Sequence, residues 1–258
     1  MKSDRMRKGM LERNFSRVAD SYDRYCRIQR FSAGRLVELA GPCEFGRILE
    51  IGCGTGNFTG MLAERYPLAR IDALDISDGM IGVARRKLKG RARFIKADAE
   101  SFRGDGRYDL ISSNGAFQWF SDVKGALGRL ADLLGKNGVV LISTFGPRTF
   151  RELDWAVREY TGGAFKTDSK SFPGRKELGA IAGEYFSDLR IEEETVELRY
   201  GSLRELLESI RSTGTRGRGM GISRLWTEKA FSAIESAYID RYGSVNATYE
   251  ILFFKGVL

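Results

Sequence analysis

The sequence predicts an α/β protein with a doubly wound, mostly parallel sheet of seven strands. A helical arm precedes the first strand, and helical insertions follow the fifth. Three observations carry this expectation. Short apolar runs alternate with helical patterns between residues 48 and 144, which implies parallel strands joined by right-handed crossovers. The first run leads into glycines at alternate positions, Gly52, Gly54 and Gly56, before a helix begins. Polar residues Asp75, Asp98 and Asn114 close the next strands, and ligands of such sheets bind beyond the carboxyl ends of the strands.

The elements follow in order. Met10, Leu11, Phe15, Val18, Tyr22, Tyr25 and Ile28 recur at helical steps, with Asp20 or Ser21 placed to break the pattern, and Gly41-Pro42 ends it. Residues 48–51 are the first strand, and residues 58–66 form a helix closed by Pro67. Residues 70–75 are the second strand. Ser77-Asp78-Gly79 is an N-cap cluster for a helix carrying Met80, Ile81, Ala84 and Leu88. Residues 92–97 and 108–113 are strands three and four. A helix over 123–134, a turn at 135–138 and a strand over 139–144 complete the alternation.

Beyond Phe145 the pattern predicts helices over 150–160, 175–186, 203–210 and 225–239, with strands over 191–200 and 247–254. No Ser/Pro-rich linker, repeat or low-complexity tract divides the chain. The expectation is one domain: an arm over 1–42, a ligand-binding core over 43–145, and a remainder over 146–258 that adds two strands and a helical cap.

Composition narrows the chemistry. The chain has 258 residues, enough for one sizeable core. No apolar run approaches the ~20 residues that span a bilayer, and the charged N-terminus lacks the apolar stretch of a signal peptide. A cytoplasmic protein is expected. Histidine is absent and the cysteines number three, without a CxxC pair. That removes His general bases, Ser-His-Asp triads and His- or paired-Cys zinc sites. Cys53 sits among the glycines with no histidine to activate it, so a small residue tolerated in a turn is expected there. The net charge of +8 admits a polyanionic partner, but no aromatic-basic motif marks a nucleic-acid module.

The glycine spacing differs from the GxGxxG of nicotinamide enzymes and lacks the Gly-Lys-Ser/Thr of a P-loop. Asp75, ending the second strand, is placed to accept hydrogen bonds from both hydroxyls of a ribose. Asp98 and Ala99, after the third, are placed to read an adenine edge. Together Glu50-Ile-Gly-Cys-Gly-Thr-Gly56, Leu74-Asp75-Ile-Ser77, Asp98-Ala-Glu100 and the Leu130 to Gly138 segment resemble the motifs of the class I S-adenosylmethionine-dependent methyltransferases, over roughly residues 45–145. The resemblance implies a Rossmann-like methyltransferase fold with S-adenosylmethionine as cofactor. It implies that Gly52, Gly54 and Gly56 admit the methionine part, that Asp75 holds the ribose, that Ile76 and Met80 pack on adenine, and that Asp98 and Ala99 read its amine. Glu50, Asn114 and Gln29 complete the implied cofactor set. A nicotinamide enzyme and a non-catalytic cofactor-binding relative are the alternatives.

The acceptor is read from other segments. Phe15 to Tyr25 with Gln29-Arg30, Ser113 to Trp119, Ser209 to Thr215 and Tyr242 to Tyr249 are similar to the malonyl-[acyl-carrier protein] O-methyltransferases of biotin synthesis. That resemblance implies methylation of the free carboxylate of a malonyl thioester, on acyl carrier protein or coenzyme A. A carboxylate is already ionised at neutral pH and needs no general base, which suits a chain without histidine. An arginine fork onto the carboxylate would suit such a site. Arg211 is the first candidate, with Arg216 and Arg218 as rivals. Tyr22 is expected to cover the cofactor or donate its hydroxyl to the acceptor, and Gln118 and Trp119 to line the cleft. Arg24, Arg27 and Arg30, with Arg216 and Arg218, are a candidate basic rim for an acidic carrier protein. The alternatives are a methyltransferase of free trans-aconitate, one acting on quinones or sterols, and a nucleic-acid methyltransferase. Against the last, Asn114 is followed by Gly-Ala-Phe rather than Pro-Pro-Tyr. Neither nucleic acid nor membrane is expected as a partner.

Overall fold

The computed structural model describes residues 2–104, 106–213 and 227–258, with the side chains of Lys2 and Ser3 excepted. The candidate carboxylate ligand Arg216 and its rival Arg218 lie outside the described residues. The chain runs α1 (Lys2–Val18), α2 (Arg27–Ala40), β1 (Arg47–Ile51), α3 (Asn57–Arg65), β2 (Arg70–Asp75), α4 (Asp78–Leu88), β3 (Arg93–Lys96) and β4 (Tyr108–Asn114). It continues through α5 (Val123–Leu133), β5 (Leu134–Phe145), α6 (Arg151–Thr161), α7 (Arg175–Ala182), β6 (Ser187–Tyr200), α8 (Leu203–Ser212), α9 (Glu228–Tyr242) and β7 (Val245–Val257).

The seven strands form one sheet in the order β3-β2-β1-β4-β5-β7-β6. The first five are parallel, and β7 inserts antiparallel between β5 and β6. The order reverses between β1 and β4, which opens the crevice where such sheets bind ligands. This is the doubly wound, mostly parallel seven-stranded sheet expected from the sequence.

The β1 residues divide between the two faces of the sheet, as the two-residue period of a strand requires. Ile48 joins the core cluster of α2, α3, α6, α8 and α9, while Leu49 and Ile51 join that of α5 and α7. Each fully buried Leu, Ile or Phe in these layers contributes roughly 1.5–3 kcal/mol. No helix among the described residues is long and apolar enough to cross a membrane.

Element boundaries depart from the pattern in instructive places. The arm breaks after Val18, and a single 3-10 turn over Tyr22–Arg24 separates it from α2. The turn expected at 135–138 is an irregularity within β5: Leu134 already pairs with Tyr108, and the register shifts before Val139 meets Leu110. α7 stops at Ala182 instead of continuing to Phe186, because Gly183 follows it and Ser187 begins pairing with Val257. Two further 3-10 turns, Phe117–Trp119 and Asp168–Ser171, are too short for a periodic signal, and both come to line the site.

Candidate active site

The turn after β1 is where backbone and cavity meet. Gly52, Gly54 and Gly56 all have positive φ, at 72°, 53° and 81°. At Gly52 a Cβ would stand 2.6 Å from the Cβ of Ala116, so the β1 and β4 turns close on each other only without a side chain there. Asp75 fastens this turn from β2. Its Oδ2 accepts from Gly54 N at 2.8 Å and its Oδ1 from Ser77 N at 2.8 Å. Burial pushes the Asp75 carboxyl above its ordinary value, against the pull of those backbone donors. Each carboxylate oxygen has further acceptor capacity on the cavity side. Ser77 caps α4 as expected, its hydroxyl accepting from Met80 N.

Around this turn lies a cavity that takes in Gly52, Gly54, Asp75, Ile76, Met80, Asp98, Ala99 and Asn114 from the sheet side, and Tyr22 from the arm. These come together as the sequence reading places them. Burial pushes the Tyr22 phenol well above the usual tyrosine range, with Cys26, Asp75 and Asp23 adding to it, so it stays protonated and can donate a hydrogen bond. The Asn114 side chain is already engaged: Oδ1 accepts from Ser32 Oγ (2.6 Å) and Ser143 Oγ (2.7 Å), and Nδ2 donates to Gln29 O (2.7 Å). It braces α2 against β4 and β5, so only its remaining surface faces the cavity.

Other expected cofactor contacts stand elsewhere. Gly56 is the N-cap of α3, and a Cβ there would stand 2.9 Å from Leu88 Cδ1 and 3.2 Å from Ala84 Cβ; its missing side chain lets α3 approach α4, and it does not line the cavity. Glu50 lies behind the turn, 1% exposed, with Oε2 unpartnered among the described residues. Burial, with the charge of Asp75 adding, pushes its carboxyl up to about 8. Gln29 lines the neighbouring cavity instead. Cys53 is buried and its thiol is pushed well up by burial, which makes it an inert filler of the turn.

The arm supplies residues that sequence reasoning missed. Lys8, Leu11 and Phe15 reach the cavity from one face of α1. Lys8 Nζ lies 2.8 Å from Asp98 Oδ2 and 2.7 Å from Glu100 Oε2. The signal was present as the i, i+3, i+7 spacing of these three positions, but the sequence alone does not say which surface that face covers.

A second, mostly apolar cavity adjoins the first beyond the ends of β4 and β5. Ile28, Phe145, Phe150, Leu153, Leu198 and Tyr249 form much of its wall. Gln118 and Trp119 line it, as expected of the cleft, and Trp119 also lines the first cavity. The indole is held edge-on between Phe15 (centroids 6.1 Å apart) and Phe172 (6.4 Å). Gln118 is fixed by donating to Gly115 O and accepting from Thr144 Oγ1. Arg24 and Arg27 stand at the exposed edge of this cavity. Arg211 does not reach it. On α8 the inward face is Leu203, Leu206, Leu207 and Ile210, which turns Arg211 out to solvent.

Residues 48–138 match the family model of the methyltransferase domain. In fold, the chain is similar to the YcgJ protein of Bacillus subtilis, with a TM-score of 0.62 and 16% identity, over 88% of this chain and 97% of that one. The match and the fold define a methyltransferase domain. Over nearly its whole length it is also similar to curated relatives. It is 34% identical to the malonyl-[acyl-carrier protein] O-methyltransferase of Acetivibrio thermocellus, covering 95% of this chain and 92% of that one. It is 32% identical to malonyl-[acyl-carrier protein] O-methyltransferase 1 of Ilyobacter polytropus, covering 95% and 93%. The chain belongs to the malonyl-[acyl-carrier protein] O-methyltransferase family.

Proposed function

We propose that this protein transfers a methyl group from S-adenosylmethionine to the free carboxylate of a malonyl group on an acyl carrier protein, giving the ester that starts pimeloyl assembly in biotin synthesis. The observation that carries the reading is the pair of adjoining cavities divided by Trp119, in a chain whose curated relatives of matching length bear this activity in their names. Bound in the first cavity, the cofactor supplies an electrophilic methyl group on a sulfonium centre. The residues present fit it. The side-chain-free approach at Gly52 suits its methionine part, and the Asp75 carboxylate suits a ribose. Ile76 and Met80 form apolar walls for adenine, and Asp98 with Ala99 offers acceptor and backbone amide for its edge.

The remaining work of the chain is positioning and exclusion of water. Leu11, Phe15 and Trp119 close the cofactor cavity with apolar surface. Tyr22 remains protonated and serves as a hydroxyl donor facing the reacting region. A carboxylate acceptor is ionised at neutral pH, so no residue has to remove a proton. The apolar cavity takes the acyl group, Arg24 and Arg27 offer the acidic carrier a basic edge at its mouth, and the exposed Arg30 on α2 adds to the positive surface. Neither nucleic acid nor membrane has a role in this reading, and a cytoplasmic enzyme is proposed.

Turnover of labelled cofactor, measured against malonyl-carrier, malonyl-coenzyme A, trans-aconitate and tRNA, tests the proposal. The malonyl-carrier should be the preferred acceptor, and its association should weaken with salt. Turnover of trans-aconitate with none of either malonyl thioester would refute it.

A further inference from the structure

The wall of the apolar cavity carries a pair of hydroxyls contributed by two neighbouring strands. Tyr200 on β6 and Tyr249 on β7 project from one face of the sheet, and their oxygens lie 2.9 Å apart. Two hydroxyls so placed carry two protons, and only one lies between them. The other is available to a third atom, and neither hydroxyl has a further hydrogen bond to a described residue. Burial pushes the Tyr249 phenol well above its ordinary value, with Tyr200 adding, so it stays a donor at neutral pH.

Two more groups converge on the same space. Arg27, at the start of α2, lines the cavity and acts electrostatically on Tyr249. Gln29, two residues on, also lines it. Asp168 and Glu205 also line the cavity, and aliphatic and aromatic side chains supply most of the remaining surface. An anion entering such a space loses its water and needs a cation and hydrogen-bond donors in return.

We infer that the Tyr200–Tyr249 hydroxyl pair, with Arg27, clamps the free carboxylate of the acceptor and so separates the charged substrate from its neutral methyl ester. The inference rests on the reading of this cavity as the acceptor site, and it replaces Arg211 as carboxylate ligand with residues of β6, β7 and α2. Methylation removes the anionic charge, and a charge-assisted hydrogen bond becomes a neutral one of about half the strength. The clamp thereby holds substrate and releases product. The tyrosines bind an oxygen and take no proton from it.

The test measures the affinity of the whole enzyme for malonyl-carrier and for carrier bearing the malonyl methyl ester. It compares wild type with Tyr200→Phe, Tyr249→Phe and the double variant. Wild type should prefer the acid form by about tenfold. The double variant should lose that preference, through weaker binding of the acid form alone, while its Kd for S-adenosylmethionine stays unchanged and reports an intact fold. The single variants should be unequal, because one hydroxyl meets the ligand and the other orients it. A double variant that keeps the preference, or that weakens for both forms alike as a packing defect would, overturns the clamp. Wild-type enzyme without turnover of malonyl-carrier overturns the acceptor reading as well.

Discussion

Lys8 of the arm and Asp98, two residues beyond β3, are joined in the wall of the first cavity, Nζ to Oδ2 at 2.8 Å. Burial works against the Lys8 charge, but hydrogen bonds to Asp98 and Glu100 outweigh it and push the amine above its ordinary value. The arm is thus fastened to the residue proposed to read adenine. A partly buried pair of this kind is worth about 1 kcal/mol. Lys8→Ala should raise the Kd for S-adenosylmethionine by about fivefold and speed amide exchange along α1. Unchanged exchange would show that the arm is held by its other contacts.

Gly79 tests the same docking from the other side. A Cβ at this position of α4 would stand 2.7 Å from Ser16 Cα and 2.9 Å from Ser16 O, both backbone atoms of α1 that cannot swing aside. Gly79→Val should therefore push α1 off the sheet domain. Exchange should rise over residues 4–18 with little change in the core strands, and cofactor affinity should fall. Full cofactor affinity in this variant would mean that the arm does not complete the cavity.

Asp75→Ala removes a clamp and a proposed ribose ligand together. Charge-assisted hydrogen bonds are worth roughly 1.5–3 kcal/mol each, so cofactor affinity measured by calorimetry should fall at least tenfold. The cofactor-free protein should also lose stability, since Gly54 N and Ser77 N lose their acceptors. Lower stability with unchanged affinity would confine Asp75 to a structural role.

Glu50 gives a pH dependence of known sign. Its folded carboxyl is raised from 4.5 to about 8, chiefly by burial. The native state then binds more protons than the unfolded state between these values. The contribution is complete below the unfolded value of 4.5 and is lost as pH rises through about 8. The Tm of cofactor-free wild type should fall relative to Glu50→Gln over this window. Parallel Tm curves for the two proteins would mean that Glu50 is ionised in the fold.

The residues that line the first cavity are legible in the sequence because they are local. A glycine turn, a capped helix and polar strand ends keep their positions relative to the sheet whatever else the chain does, which is why Gly52, Asp75 and Asp98 could be placed from sequence. Gly56 shows the limit even there: its left-handed φ serves α3 and its missing Cβ serves Leu88, and spacing does not distinguish packing from ligand contact. The acceptor side was harder because it is assembled from distant segments. Residue type alone points to Arg211, but the apolar stripe of α8 turns it outward. Tyr200 and Tyr249 are neighbours only through the antiparallel pairing of β6 and β7, and Lys8 meets Asp98 only through the path of the arm. Such contacts follow from tertiary packing and leave no periodic trace.

The most direct measurement is the intact mass of a carrier protein after incubation with this enzyme and S-adenosylmethionine. Malonyl-loaded carrier should gain the mass of one methyl ester, while acetyl-loaded carrier, which has the same arm and no free carboxylate, should gain nothing. A malonyl-carrier left unmodified by enzyme that binds the cofactor and methylates another small acid would contradict the account.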